Sequence, residues 1–250
     1  MEPMETPCTG ILMIAGFGDN ASMFDGLSAT TLARKYALIP FNLPGFGAPP
    51  LDGETTIHAL ADALAKEARR TGAKIVLAHS VASIIASIAL GQDCPLEMIL
   101  SVEGNITADD AYFSGTAADY EEPATFRTAF LARLAVKAQS SPIFARYHDT
   151  VAKADPKALW QLGRDARRFS KTQHPGEVLA ASGKVSYLYD DPNCPQSTLE
   201  WLRSHDIDTR RLSGASHWPS IDAPDRLSAE CVKAIIDQNI PPAHRQPINT

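Results

Sequence analysis

The sequence holds few cysteines. Four of its 250 residues (Cys8, Cys94, Cys194 and Cys231) are of this type, scattered and without a C-x-x-C pair. That scatter excludes a disulfide framework or a cysteine zinc site and points to free thiols in a reducing compartment. Positive charge is not in excess either: 23 Lys and Arg stand against 29 Asp and Glu, a formal net charge of −6. Such a balance argues against nucleic acid or an anionic membrane as partner. The short pairs Arg69-Arg70, Arg167-Arg168 and Arg210-Arg211 read as cations near helix ends or on a strand edge. Long apolar runs are missing. Met1–Gly10 has no basic stretch leading into an apolar one, and Ile11–Ala15 is too short to export or span anything. A cytoplasmic location is the expectation. No internal repeat or low-complexity segment occurs, and the Pro-rich polar tail from Ile240 is expected to be loose.

What is present is ordinary globular material, 44% apolar and 21% charged, enough for one large domain with a sizeable core. Short continuous apolar runs at Ile11–Ala15, Ala37–Phe41, Lys74–Ala78, Met98–Val102 and Val185–Tyr189, and a weaker one at Asp208–Leu212, predict strands buried on both faces. A parallel sheet covered by helices requires that pattern. Between them, Ile57, Leu60, Ala61, Leu64 and Ala68 form a helical stripe, capped by Thr55 or Thr56 and closed by Gly72. Val81–Leu90 is apolar nearly all round and predicts a deeply packed helix, and the last helix follows Pro224. Alternating strands and helices mean an α/β fold with right-handed crossovers. From about Thr107 to Gly183 only helical segments occur, including Pro123–Gln139 and one starting at Pro156 after the capping Asp155. An insertion of that length between two strands reads as a lid. The division is a core of residues 1–106 and 184–250 with a lid of 107–183.

The stretch Lys74-Ile-Val-Leu-Ala-His79-Ser80-Val81-Ala82 runs a strand into Ser80 and a helix out of it. A serine on such a turn presents its hydroxyl at the carboxyl edge of the sheet, and the next N–H, that of Val81, lies at a positive helix N-terminus suited to an oxyanion. Taken alone, a serine there also serves as a simple N-cap. The turn needs small residues two before and two after, and here they are Ala78 and Ala82 where G-x-S-x-G is usual. Ile11–Ala15 empties into Gly16-Phe17-Gly18-Asp19, a turn able to aim the Phe17 N–H at the same oxyanion, or else a loop with no role. Ser213-Gly214-Ala215-Ser216-His217-Trp218 sets a histidine in a loop that can reach Ser80 over the sheet edge.

This order of motifs resembles the α/β-hydrolase superfamily over Gly10–Gln238: a strand with an H-G-like loop (Ala15-Gly16), a D-x-P-G-x-G-like loop (Asn42-Leu-Pro-Gly-Phe-Gly47), an elbow serine, a lid and a late histidine loop. The sequence reads as starting at the third strand of that fold, without the customary first hairpin. The resemblance implies a serine hydrolase with Ser80 as nucleophile, His217 as general base and Phe17 and Val81 as oxyanion donors. It places the orienting acid after either of two strands. Glu103 ends the earlier one, as in the haloalkane-dehalogenase-like branch; Asp190 and Asp191 follow the later one, but the usual slot falls on Asn193. Glu103 is the choice, with Asp190 or Asp191 the alternative.

Nine of the chain's 18 aromatics (Tyr112, Phe113, Tyr120, Phe126, Phe130, Phe144, Tyr147, Trp160 and Phe169) fall in the insertion, and Trp218 follows the histidine. Together they imply an apolar cleft, with Gly16, Gly18, His79, Trp160 and Trp218 as pocket residues. The expected substrate is a small hydrophobic or aromatic carboxylic ester, lactone or thioester, with no metal or organic cofactor and an undefined oligomeric state. Carbon–carbon hydrolysis, a lyase, a cofactor-free oxygenase or a non-catalytic ligand binder are rival outcomes on the same scaffold.

Overall fold

A computed structural model describes residues 9–240. Cys8, most of the Met1–Gly10 segment and the tail beyond Ile240 lie outside the described residues. Among those described, six strands form one parallel sheet: β1 (Gly10–Ile14), β2 (Ala37–Pro40), β3 (Ile75–His79), β4 (Met98–Val102), β5 (Lys184–Tyr189) and β6 (Asp208–Arg211), in the order β2-β1-β3-β4-β5-β6. The central strands are buried along their whole length, as continuous apolar sequence demands. β2 and β6 sit at the sheet edges and are only half-buried, a departure from the double-sided burial their sequence predicts. On β6 the exposed edge is charged: Arg210 pairs with Asp208 and Asp237.

Ten α-helices are described: α1 (Thr31–Lys35), α2 (Ile57–Thr71), α3 (Ala82–Leu90), α4 (Pro123–Ala138), α5 (Pro142–Val151), α6 (Pro156–Thr172), α7 (Pro175–Ala181), α8 (Gln196–Ser204), α9 (Pro219–Asp222) and α10 (Pro224–Asp237). α1 packs with α10, and α2 with α3. α2 shows why the chain turns where it does. Thr56 caps it by accepting from the Ala59 N–H at 3.1 Å, and Gly72 ends it with φ +68°, a conformation that costs glycine least. Cys94, Cys194 and Cys231 are free thiols.

The connection between β4 and β5 is helical throughout its regular elements: two short 3-10 turns (Ala108–Tyr112 and Ser114–Asp119), then α4 to α7. It is fastened to the sheet domain by buried polar contacts. On α6, the carboxylate of Asp165 accepts from the Ile57 N–H at 2.8 Å and Gln161 Oε1 accepts from the Thr55 N–H at 2.9 Å, so the insertion satisfies open amides at the start of α2. The Asp155 N–H donates to Gly45 O at 2.9 Å, and Gly45, at φ +85°, lies against Ala158 with no room for a side chain. Replacing Asp165 by Ala leaves the buried Ile57 N–H without an acceptor, at a cost of about 1–3 kcal/mol. Urea denaturation of Asp165→Ala is expected to show that loss, and Asp165→Asn, which keeps an acceptor, a smaller one.

Candidate active site

Parallel register fixes the height at which the two central strands end. His79 on β3 lies opposite Val102 on β4, and Val102 opposite Leu188 on β5. One further ladder bond extends each strand: Ser80 N–H to Val102 O, and Glu103 N–H to Leu188 O, both 2.9 Å. Both residues then turn sharply, Ser80 with φ +55° and Glu103 with φ +49°. For non-glycine residues this left-handed conformation costs about 1–3 kcal/mol each and persists only where the surroundings enforce it. Around Ser80 the enforcement is close packing. Ala78 and Ala82 are wholly buried, and a methyl on Gly16 would stand 2.9 Å from Ser80 Cβ and from His79 Nδ1. At the second turn a methyl on Gly104 would overlap the Ser83 and Ser101 hydroxyls, which bond each other at 2.9 Å, while Tyr187 Oη donates to Gly104 O at 2.7 Å.

The loop between β6 and α9 brings His217 over this edge, and its backbone is tied down at four points. Gly214 N–H donates to Asp190 Oδ2 at 2.7 Å, Ser216 N–H to Asp222 Oδ2 at 2.8 Å, Asn193 Nδ2 to Ala215 O at 3.1 Å, and His79 Nε2 to His217 O at 2.7 Å. A carbonyl acceptor requires the proton on His79 Nε2. Burial, then the neighbouring His217, hold the His79 pKa well below its usual 6.5, so the ring is neutral.

The three carboxylates expected as alternatives for the orienting acid face different partners. Asp190 is occupied by the Gly214 N–H, and Asp191 pairs with Arg211 at 3.1 Å on the surface. Glu103, buried with only 5% of its surface exposed, accepts at Oε1 from the Asp190 N–H (2.9 Å) and from Asn193 Nδ2 (3.0 Å), and turns Oε2 to His217 Nδ1 at 3.7 Å. That separation is in ion-pair range and longer than a hydrogen bond. Ser80 Oγ donates to Asn105 Oδ1 at 3.5 Å, a long contact. Among the described residues, the Phe17 and Val81 N–H groups have no acceptor in the protein.

A cavity of about 20 Å³ joins these groups, lined by Gly16, Phe17, Asp19, His79, Ser80, His217 and Trp218 from the sheet side and by Asp110, Tyr112, Phe113, Ser114 and Tyr147 from the insertion. Two expected pocket residues lie elsewhere. Trp160 faces a separate groove, its ring under the Arg164 guanidinium at 4.4 Å and its Nε1–H donating to Tyr120 O. Gly18 turns toward the insertion, where a side chain would meet Val151 at 2.9 Å. Asp19, Asp110, Asn105 and Arg146 carry contacts at the site that the sequence did not single out. Among the described residues no three His, Cys, Asp or Glu side chains gather as metal ligands, and no helix is long and apolar enough to cross a membrane.

The buried neutral His79 has a consequence for stability. Its folded pKa lies below the unfolded value, so as pH falls below about 6.5 the unfolded chain binds the extra proton and stability drops, by at most about 1.4 kcal/mol per pH unit for one group. Urea midpoints measured from pH 7.5 to 5.0 are expected to fall more steeply for the wild type than for His79→Gln. Parallel curves would remove His79 as the cause.

The sequence profile of the alpha/beta hydrolase family matches residues 11–230. Comparison with curated proteins finds no match. Among solved structures, a thermophilic esterase from Thermogutta terrifontis superposes with a TM-score of 0.72 at 16% identity, covering 94% of this chain and 92% of its own. The N-acyl homoserine lactonase AidH, complexed with N-butanoyl homoserine, gives 0.71 at 16% identity over 95% and 92%. A variant of AqdC, which cleaves the ring of the Pseudomonas quinolone signal, gives 0.72 at 16% identity over 92% of each chain. At these identities the likeness is one of fold. The profile spans most of the sequence, and the chain belongs to the alpha/beta hydrolase family.

Proposed function

We propose that the protein is a serine hydrolase that cleaves a small carboxylic ester, lactone or thioester through Ser80, His217 and Glu103. The observation that carries this reading is the left-handed Ser80 at the foot of α3, sharing one cavity with a histidine whose Nδ1 faces a buried carboxylate. With Nδ1–H toward Glu103, His217 Nε2 is the free base. It takes the Ser80 proton, and the alkoxide attacks the substrate carbonyl. The Phe17 and Val81 N–H groups receive the oxyanion, and Glu103 stabilises the imidazolium. His217 then protonates the leaving group, and water resolves the acyl-enzyme by the same path.

The helical connection between β4 and β5 serves as lid, since five of the cavity-lining residues come from it. A cavity of 20 Å³ is little more than the space one water needs. Phe113, Tyr147 and Trp218 form its apolar wall, and a short acyl group is the one that demands least widening of it. Tyr112, 44% exposed and with its ring 6.2 Å from that of His217, flanks the entrance.

Ser80→Ala is expected to lower hydrolysis of an activated acetate ester by several orders of magnitude without loss of fold, and Glu103→Gln by about 10²–10⁴, by analogy with other triads. Turnover within tenfold of wild type in Ser80→Ala would refute the serine mechanism, and would direct attention to chemistry that a His–carboxylate pair performs alone. Acetate esters should be preferred over octanoate esters in kcat/KM, and an equal or reversed preference would contradict the short-acyl assignment.

A further inference from the structure

The loop that carries the Phe17 N–H is held from the insertion side. Gly16 O accepts from the Asp19 N–H at 3.2 Å. In a trans peptide the C=O and N–H point opposite ways, so anchoring Gly16 O directs the Phe17 N–H away from Asp19. The following peptide is gripped as well: Tyr147 Oη, on α5, donates to Phe17 O at 2.6 Å. Burial, with the Asp19 charge adding to it, raises the Tyr147 pKa well above 10, which keeps the hydroxyl protonated as a donor.

The neighbouring residue of α5 completes the grip. Arg146 Nη1 donates to Asp19 Oδ2 at 2.8 Å and Nη2 to Asp19 Oδ1 at 3.0 Å, a two-pronged pair on a carboxylate that is 2% exposed. Asp19 Oδ1 also accepts from the Asn20 N–H at 2.8 Å, and Arg146 Nη2 reaches Ser22 Oγ at 3.2 Å. Gly18, at φ +71°, leaves no gap between loop and insertion. A single turn of α5 therefore fixes two successive peptide planes beside Ser80, from 127 and 130 residues away in sequence.

We infer that Arg146, through Asp19, and Tyr147, through the Phe17 carbonyl, are positioning residues that set the Phe17 N–H for the oxyanion, so that the insertion completes the catalytic centre as well as covering it. The inference rests on the Ser80 reading above. Loss of a whole oxyanion donor costs about 10²–10³ in kcat, and a donor displaced by part of an ångström loses a fraction of that.

Arg146 is the cleaner probe, because Tyr147 also lines the cavity. Arg146→Gln, Arg146→Lys and Tyr147→Phe would be compared with wild type for kcat and KM on an activated acetate ester. Their inhibition by a methyl trifluoromethyl ketone, which forms a tetrahedral oxyanion adduct, would be measured alongside. The expected result is a fall in kcat of about 10–100-fold with KM changed less than about threefold, inhibitor affinity falling in step with kcat. The double variant Arg146→Gln/Tyr147→Phe should lose less than the product of the single effects, since both act on one loop. Folded Arg146→Gln and Tyr147→Phe proteins with kcat and inhibitor affinity within twofold of wild type, in an enzyme that Ser80→Ala silences, would overturn the inference alone. Ester turnover that survives Ser80→Ala would instead overturn the reading on which it rests.

Discussion

β3 and β4 run parallel with His79 level with Val102, so the residues that follow them leave the sheet side by side. Both are left-handed and neither is glycine. Two such residues together cost several kcal/mol in backbone strain, about 1–3 each, and the surrounding packing is built to hold them. Gly16 and Gly104 have no side chain where one would collide, Ala78 and Ala82 fill their space completely, and Ser83 and Ser101 lock α3 to β4 by a hydroxyl pair. Ser80 and Glu103 thus stand as matching turns on adjacent strands: Glu103 turns Oε2 toward His217 Nδ1, and Ser80 lines the cavity that His217 also lines.

That loop has little regular structure of its own and borrows its shape from polar groups around it. Asp190, Asp222, Asn193 and His79 each take one of its backbone groups. This use of Asp190 explains why a carboxylate at the end of β5 need not be the one that faces His217. Asn193, in the slot where the family's acid usually falls, bonds Glu103 and the Ala215 carbonyl together, so the acid from β4 and the loop from β6 are joined through it. A neutral residue there avoids a second buried negative charge next to Glu103, which would be costly in a site of low dielectric.

Five of the six strands were legible as apolar runs, which strands covered on both faces require; β6, Asp-Thr-Arg-Arg, carries no such run, and both edge strands are only half-buried. The caps of α2 and α6 were legible for a local reason: the side chain of a Thr or Asp before the first turn accepts from an open amide three residues on, Ala59 for Thr56 and Ala158 for Asp155. Ser80 and Glu103 drew notice because each stands where a strand ends in a sharp turn, and His217 because it lies in the Gly/Ser loop between β6 and α9. Arg146 could not. It sits mid-helix on α5, and its partner Asp19 is a single acidic residue after a glycine turn, 127 positions away. Trp160 misled for the converse reason, since an aromatic in an insertion packs as readily against an arginine on its own helix as into a cleft.

The proposed chemistry depends on Ser80 being a nucleophile activated by its surroundings. The direct measurement is to treat the protein with a small fluorophosphonate, digest it, and locate the adduct by mass spectrometry. One phosphonyl group per chain, on Ser80 and absent from a His217→Ala protein, is the predicted result. An unlabelled protein, or label on another hydroxyl such as Ser83 or Ser114 with Ser80 untouched, would contradict it.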